Sequence, residues 1–135
     1  VNESDKELEE IRRKKLEELE RKSGGKKTIN KPIQVTDRTF DQVIKTHPAV
    51  AIDFWSEWCP PCRFIAPIIE VLAKDYGGKV IFGKLNVDEN LAIARRHGIT
   101  SIPTLLFFKD GKLAGRIIGA VPREHIEREL TKIIG

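Results

Sequence analysis

Trp58-Cys59-Pro60-Pro61-Cys62 holds both cysteines of this 135-residue chain, two of its seven prolines and one of its two tryptophans. Two thiols separated by two residues can close a small disulfide ring or share a metal ion, and the spacing alone selects neither use. The flanking residues narrow the choice. Upstream runs the apolar segment Val50-Ala51-Ile52-Asp53-Phe54-Trp55, and downstream Ile65, Ile68, Ile69 and Leu72 recur on one helical face. The pair therefore falls where a buried strand hands over to a helix. The first turn of a helix presents unpaired N–H groups and the positive end of the helix dipole, which together stabilise a thiolate. Only the thiolate is nucleophilic, so a cysteine at the start of the helix is activated, and a second, one turn in, can attack the resulting mixed disulfide. Prolines are tolerated in that first turn because its N–H groups have no intrahelical partner to lose. Pro60 and Pro61 stiffen the ring. Pro60 also removes one backbone donor that could face the Cys59 sulfur, so a less stabilised thiolate is expected.

The rest of the chain is long enough for one domain with a true core plus an appendage, and its 40% hydrophobic content agrees with that. No apolar segment approaches the length that spans a bilayer, and the amino-terminal stretch is charged and helix-like instead of basic-then-apolar. A soluble cytoplasmic protein without membrane contact is expected. One cysteine pair does not resemble the framework of a small secreted protein, and in a reducing compartment a single pair suggests redox work. His47, His97 and His125 are scattered without ligand-like spacing to the cysteines, so no metal site is expected. The net charge of +4 arises from 24 basic and 20 acidic residues that are interleaved along the chain. No basic run is threaded with aromatics, which argues against a nucleic-acid partner. The 33% charged content, the absence of Met and the scarcity of Asn and Gln lean towards a thermophilic source.

From Ser4 the spacing Ser4-Asp5-Lys6-Glu7 matches a capping box, and a charged helix is expected to run to about Lys22, before Ser23-Gly24-Gly25 stops it. Leu8, Ile11, Leu16 and Leu19 share one narrow face, which fits either self-association or a partner contact through residues 4–22, or a freely projecting helix. Three segments follow from this: a charged amphipathic helical extension over 1–23, a linker over 24–31, and a globular domain over 32–135. Within the domain the pattern predicts a strand Ile33–Val35, a helix Asp37–Thr46 opened by Thr36 or Asp37, and the strand Ala49–Trp55. The helix after the cysteines runs to about Tyr76 and should be kinked by Pro67. A strand Val80–Val87, a helix Asn90–His97 and a strand Thr104–Lys109 come next. Asp110-Gly111 turns the chain into Leu113–Ile118, and Pro122 opens a last helix with Ile126, Leu130, Ile133 and Ile134 on one face. This is an α/β order, with a mixed central sheet flanked by helices on both faces.

With the cysteine pair at a strand–helix junction inside that order, the domain resembles thioredoxin. The resemblance is carried by Asp53-Phe54-Trp55-Ser56-Glu57-Trp58-Cys59, Pro61-Cys62-Arg63, Pro67, Lys84-Leu85-Asn86-Val87-Asp88, Ile102-Pro103-Thr104, Phe108-Lys109-Asp110-Gly111 and Gly119-Ala120, spread over residues 32 to 135. Members usually carry Gly-Pro between the cysteines. Pro-Pro is similar to tryparedoxin-like and membrane-anchored, periplasmic thioredoxin-like reductases, which bears on redox poise and partner choice. The amino-terminal helix is not part of the minimal thioredoxin domain.

The resemblance implies a thioredoxin fold, no bound cofactor beyond a redox-active disulfide Cys59–Cys62, and recharging by a thioredoxin-reductase-like flavoprotein that uses NADPH. It implies a protein-disulfide oxidoreductase in which Cys59 is the nucleophile and Cys62 the resolving thiol. Asp53 is the one charge in an apolar strand, and burial raises a carboxyl pKa, which suits a proton shuttle. In the family it looks like the buried acid that deprotonates Cys62, with Lys84 as its electrostatic partner on the neighbouring strand. Ile102-Pro103 is similar to the cis peptide that lies against the disulfide. There the Ile102 backbone can pair with a substrate strand, and Trp58, Ile102, Pro103, Gly119 and Ala120 form a small docking surface. Trp55 reads as core packing. Two further readings remain: a thiol oxidant or isomerase, if Pro60 shifts the potential upward, and a binding module whose charged helix does the recruiting.

Overall fold

Strand β2 (Ala49–Trp55) carries six consecutive buried residues before Trp55, the pattern of a strand covered on both faces. It lies at the centre of a five-stranded sheet ordered β1-β3-β2-β4-β5, with β1 at Ile33–Gln34, β3 at Ile81–Asn86, β4 at Thr104–Lys109 and β5 at Lys112–Ile118. β1, β3 and β2 are parallel, while β4 and β5 each run antiparallel to the strand before them in the sheet. This computed structural model describes residues 6–14 and 28–134. Residues 6–14 are helical (α1), and the remaining helices are α2 (Phe40–Thr46), α3 (Pro60–Asp75), α4 (Leu91–Arg96) and α5 (Arg123–Ile134). The expected mixed sheet with helices on both faces is present.

Alternation along β2 divides the core in two. Ala49 and Ala51 face Ile65, Ile69 and Leu72 of α3 and Ile126 and Leu130 of α5. Val50, Ile52 and Phe54 face the other way, onto Phe40 and Ile44 of α2 and Ile93 of α4. Gly83 of β3 lies between β1 and β2 on that second side, where a Cβ would stand 2.6 Å from Val35 Cγ2 and 2.7 Å from Ile52 Cδ1. Overpacking of this kind costs about 1–3 kcal/mol. A Gly83→Ala protein should therefore lose about that much stability in urea unfolding, and an unchanged midpoint would show that the sheet opens to admit the methyl group.

Most element bounds agree with the sequence pattern to within one residue. Helix α2 does not: it begins at Phe40 instead of Asp37. Thr36 and Thr39 bond each other's backbone N–H and side chains. The Asp37 carboxylate serves a different helix, accepting from Ala92 N–H at 3.2 Å and Ile93 N–H at 3.0 Å at the start of α4. Its own N–H donates to Asn90 Oδ1 at 2.9 Å. Asp110 and Gly111 both have positive φ, 50° and 81°, as a two-residue type I′ hairpin requires. Helix α3 runs without a break through Pro67.

All nine residues of α1 are exposed, and its apolar side chains Leu8 and Ile11 remain half in solvent. Leu16 and Leu19, the far half of the expected helix, and residues 24–27 of the expected linker lie outside the described residues.

Candidate active site

The chain leaves β2 at Trp55 and turns through residues 56–59 into α3. Ser56 holds the turn. Its buried hydroxyl donates to Asp88 Oδ2 at 2.6 Å and accepts from Trp58 N–H at 3.4 Å, and its carbonyl accepts from Cys59 N–H at 3.3 Å. On the outer side, Arg63 Nη2 donates to the Glu57 carbonyl at 2.7 Å. Cys59 is thereby fixed as the N-cap residue of α3, with Pro60 and Pro61 in its first turn.

Cys59 and Cys62 are joined as a disulfide, with their Cα atoms 5.2 Å apart. Cys62 N–H donates to Cys59 Sγ at 3.2 Å. The bond is the one a Ser or Asp side chain makes at a helix N-cap, to the N–H of the second or third helical residue. The N–H of the first helical residue is not a capping donor. The donor to the sulfur belongs to Cys62, two residues beyond Pro60, so the position that Pro60 leaves without an N–H is not the one that bonds the sulfur here. A Pro60→Gly protein equilibrated with glutathione buffers should show a potential within about 30 mV of the parent, equivalent to ~1.4 kcal/mol. A larger displacement would mean that ring stiffness, and not the cap, sets the poise.

Access to the disulfide is narrow: Cys59 is 8% exposed and Cys62 3%. Cys59 Sγ lies 3.7 Å from the Ile102 carbonyl oxygen, and the Ile102–Pro103 peptide is cis. Gly119 N–H donates to the Pro103 carbonyl at 2.7 Å, from a backbone with φ of 93° that glycine adopts without steric penalty. Cys59, the Ile102–Pro103 loop and Gly119 thus converge. Ala120 follows in an exposed position, Ile102 is partly exposed and Pro103 is buried. Trp58 projects into solvent, 84% exposed, while Trp55 is only partly so.

Asp53 is 1% exposed, and both of its carboxylate oxygens are buried without a hydrogen-bond partner among the described residues. Burial pushes its pKa up to about 7, against the opposing pull of the Lys84 charge. Lys84 is its register partner across β2 and β3. The ammonium does not bond the carboxylate; Nζ sits over the Trp55 ring, 4.6 Å from its centroid. Asp53 shares its side of the sheet with Ala49 and Ala51, the side that α3 covers with the helix bearing Cys62.

Sequence reasoning assigned no role to Ser56 or Asp88, although both lie within the quoted motifs. Their bond joins residues 32 apart, and no periodicity connects them. Among the described residues, no group of three or more His, Cys, Asp or Glu is placed to hold a metal ion, and no helix is long and apolar enough to cross a membrane.

A dithiol–disulfide pair capping a helix at the end of a central strand defines a thiol–disulfide oxidoreductase. The family model described as Thioredoxin matches residues 31–132. A thioredoxin of Chlorobaculum thiosulfatiphilum is 45% identical over 106 residues, covering 78% of this chain and 98% of that protein. A chloroplastic M-type thioredoxin of Pisum sativum is 46% identical over 111 residues, covering 82% of this chain and 64% of that one. A solved mutant thioredoxin from Halobacterium salinarum superposes with a TM-score of 0.76 at 28% identity, covering 82% of this chain and 96% of that one. The chain belongs to the thioredoxin family. It is a protein-disulfide oxidoreductase that works by dithiol–disulfide exchange through Cys59 and Cys62.

Proposed function

We propose that the chain is a general reductant of protein disulfides, in which Cys59 is the nucleophile, Cys62 the resolving thiol and Asp53 the base. The observation that carries this reading is the Cys62 N–H donated to Cys59 Sγ at the helix N-cap, since the same donor meets a thiolate when the pair is reduced. The Cys59 thiolate attacks one sulfur of a partner's disulfide, forming a mixed disulfide and expelling the other sulfur as a thiolate. Asp53 takes the Cys62 proton, and the Cys62 thiolate attacks Cys59 Sγ. The mixed disulfide breaks, the partner leaves as a dithiol after taking up protons, and this chain is left as the Cys59–Cys62 disulfide, two electrons poorer.

Lys84 acts on Asp53 through its charge, and Pro60 and Pro61 act by stiffening the ring. Trp58, Ile102, Pro103, Gly119 and Ala120 form the docking surface, with the Ile102 carbonyl beside the nucleophile as a backbone partner for an extended substrate strand. The electrons are returned by a thioredoxin-reductase-like flavoprotein in a reducing compartment such as the cytoplasm. The described helix at residues 6–14 precedes the thioredoxin domain, assigned to 32–135, and the half-exposed Leu8 and Ile11 support a contact role for that helix. The charge-rich composition supports a thermophilic source.

Insulin reduction tests the reading: reduced protein should accelerate it well beyond dithiothreitol alone, and no acceleration would remove general reductase activity. A potential near the figure usual for thioredoxins, about −270 mV, would exclude the oxidant and isomerase alternative.

A further inference from the structure

The outer face of α3 carries an apolar stripe that the fold does not bury. The inner face packs Cys62, Ile65, Ile69 and Leu72 into the core. On the opposite side Pro60, Phe64, Pro67 and Val71 are exposed, Phe64 by 68% and Val71 by 49%. At about 100° per residue these four fall within an arc of roughly 60°, and they extend ~16 Å along the helix from the redox centre. A helix that is apolar on both faces has a second face to cover, and an exposed apolar stripe framed by charge marks an interaction surface. Arg63, Glu70 and Lys74, all exposed, line one edge of the stripe, and Asp75 lies at the far end of the other.

The redox chemistry identifies the occupant. A partner's disulfide must reach Cys59 Sγ, yet the residue is only 8% exposed and lies against the Ile102 carbonyl on one side. Pro60, exposed, is both the chain neighbour of the nucleophile and the first residue of the stripe. The stripe is therefore continuous with the surface on which disulfide exchange takes place. We propose that Pro60, Phe64, Pro67 and Val71 form a recognition arm for folded protein substrates that carry an apolar surface beside the disulfide they present to Cys59. This rests on the disulfide-reductase reading above and narrows its substrate class.

The test compares second-order rate constants for oxidation of the reduced protein by insulin and by hydroxyethyl disulfide, a molecule too small to touch Phe64 and Val71 while reacting. Truncating a buried aromatic contact commonly weakens a protein interface by about tenfold or more, and a smaller aliphatic one by less. Phe64→Ser should slow the insulin reaction about tenfold and Val71→Ser about threefold. The reaction with hydroxyethyl disulfide should stay within about twofold of the parent in both. Leu113→Ser, which removes a comparably exposed side chain near the Asp110–Gly111 hairpin, should change neither rate. Thermal midpoints of all three proteins should match the parent, since the side chains are exposed. Insulin rates unchanged by Phe64→Ser and Val71→Ser would overturn the proposal, and so would equal losses on both disulfides, because the chemistry and not recognition would then have been disturbed. A parent protein oxidised by neither disulfide would overturn the reductase reading itself and this inference with it.

Discussion

The Cys62→Ser protein is expected to complete one half of the exchange and then stay covalently joined to its partner. With Cys59 held at the N-cap and its sulfur facing the N–H of residue 62, the first attack needs only the Cys59 thiolate. That donor is a backbone group, so it survives the substitution. What disappears is the second nucleophile, and no other thiol in the chain can replace it, because the two cysteines of the motif are the only ones. Catalytic turnover of insulin should fall to the level of dithiothreitol alone. Mixed disulfides should accumulate as species that non-reducing electrophoresis resolves and that dithiothreitol dissolves. Cys59→Ser should give neither turnover nor adduct. Turnover by Cys62→Ser at the parent rate would assign resolution to a thiol of the partner and remove Cys62 from the mechanism.

The second large effect concerns Asp53, where function and stability should respond in opposite directions. Its carboxyl is raised from 3.8 to about 7 by burial, so the folded chain holds a proton that the unfolded chain releases between those values. A raised folded-state pKa contributes stability that is complete below the unfolded value and is lost as pH rises through the folded one. About three pKa units at ~1.36 kcal/mol each amount to roughly 4 kcal/mol of stability lost between pH 4 and pH 8. Asp53→Asn removes this dependence. In urea unfolding of the oxidised proteins, the variant should gain on the parent by up to ~4 kcal/mol between pH 4 and pH 8, whatever fixed cost its buried amide carries. A gap that is constant over this range would show that the carboxyl does not titrate there. Release of product from the mixed disulfide should slow by about 100-fold or more, the usual contribution of a general base. In the parent, that release should speed up as pH rises through about 7.

The fold was legible because its signals are local. The unbroken apolar run of β2, the prolines at the start of α3 and the Asp110-Gly111 hairpin each declare themselves within a few residues, and so did Asp53, as a lone charge among Ile52 and Phe54. The features that escaped depend on residues far apart in the chain. The sequence offers Thr36 or Asp37 as the residue that opens the following helix, whereas the Asp37 carboxylate caps α4, 55 and 56 residues away. Ser56 and Asp88 meet only because β2 and β3 end side by side. The donor to Cys59 Sγ is Cys62 N–H and not the position Pro60 occupies, because the direction of an N–H selects it and a residue pattern carries no such direction.

β2, whose end delivers the dithiol, has hydrogen-bonded neighbours on both sides, β3 and β4, whereas β1 and β5 form the rims of the sheet. Fraying begins at rims, where backbone amides have partners on one side only, and reaches a central strand last. Transient opening of β1, which lies across β3 from the strand that delivers the dithiol, therefore leaves Cys59, Cys62 and the Gly119–Pro103 contact in place, and electrons can be passed on while that margin of the molecule breathes.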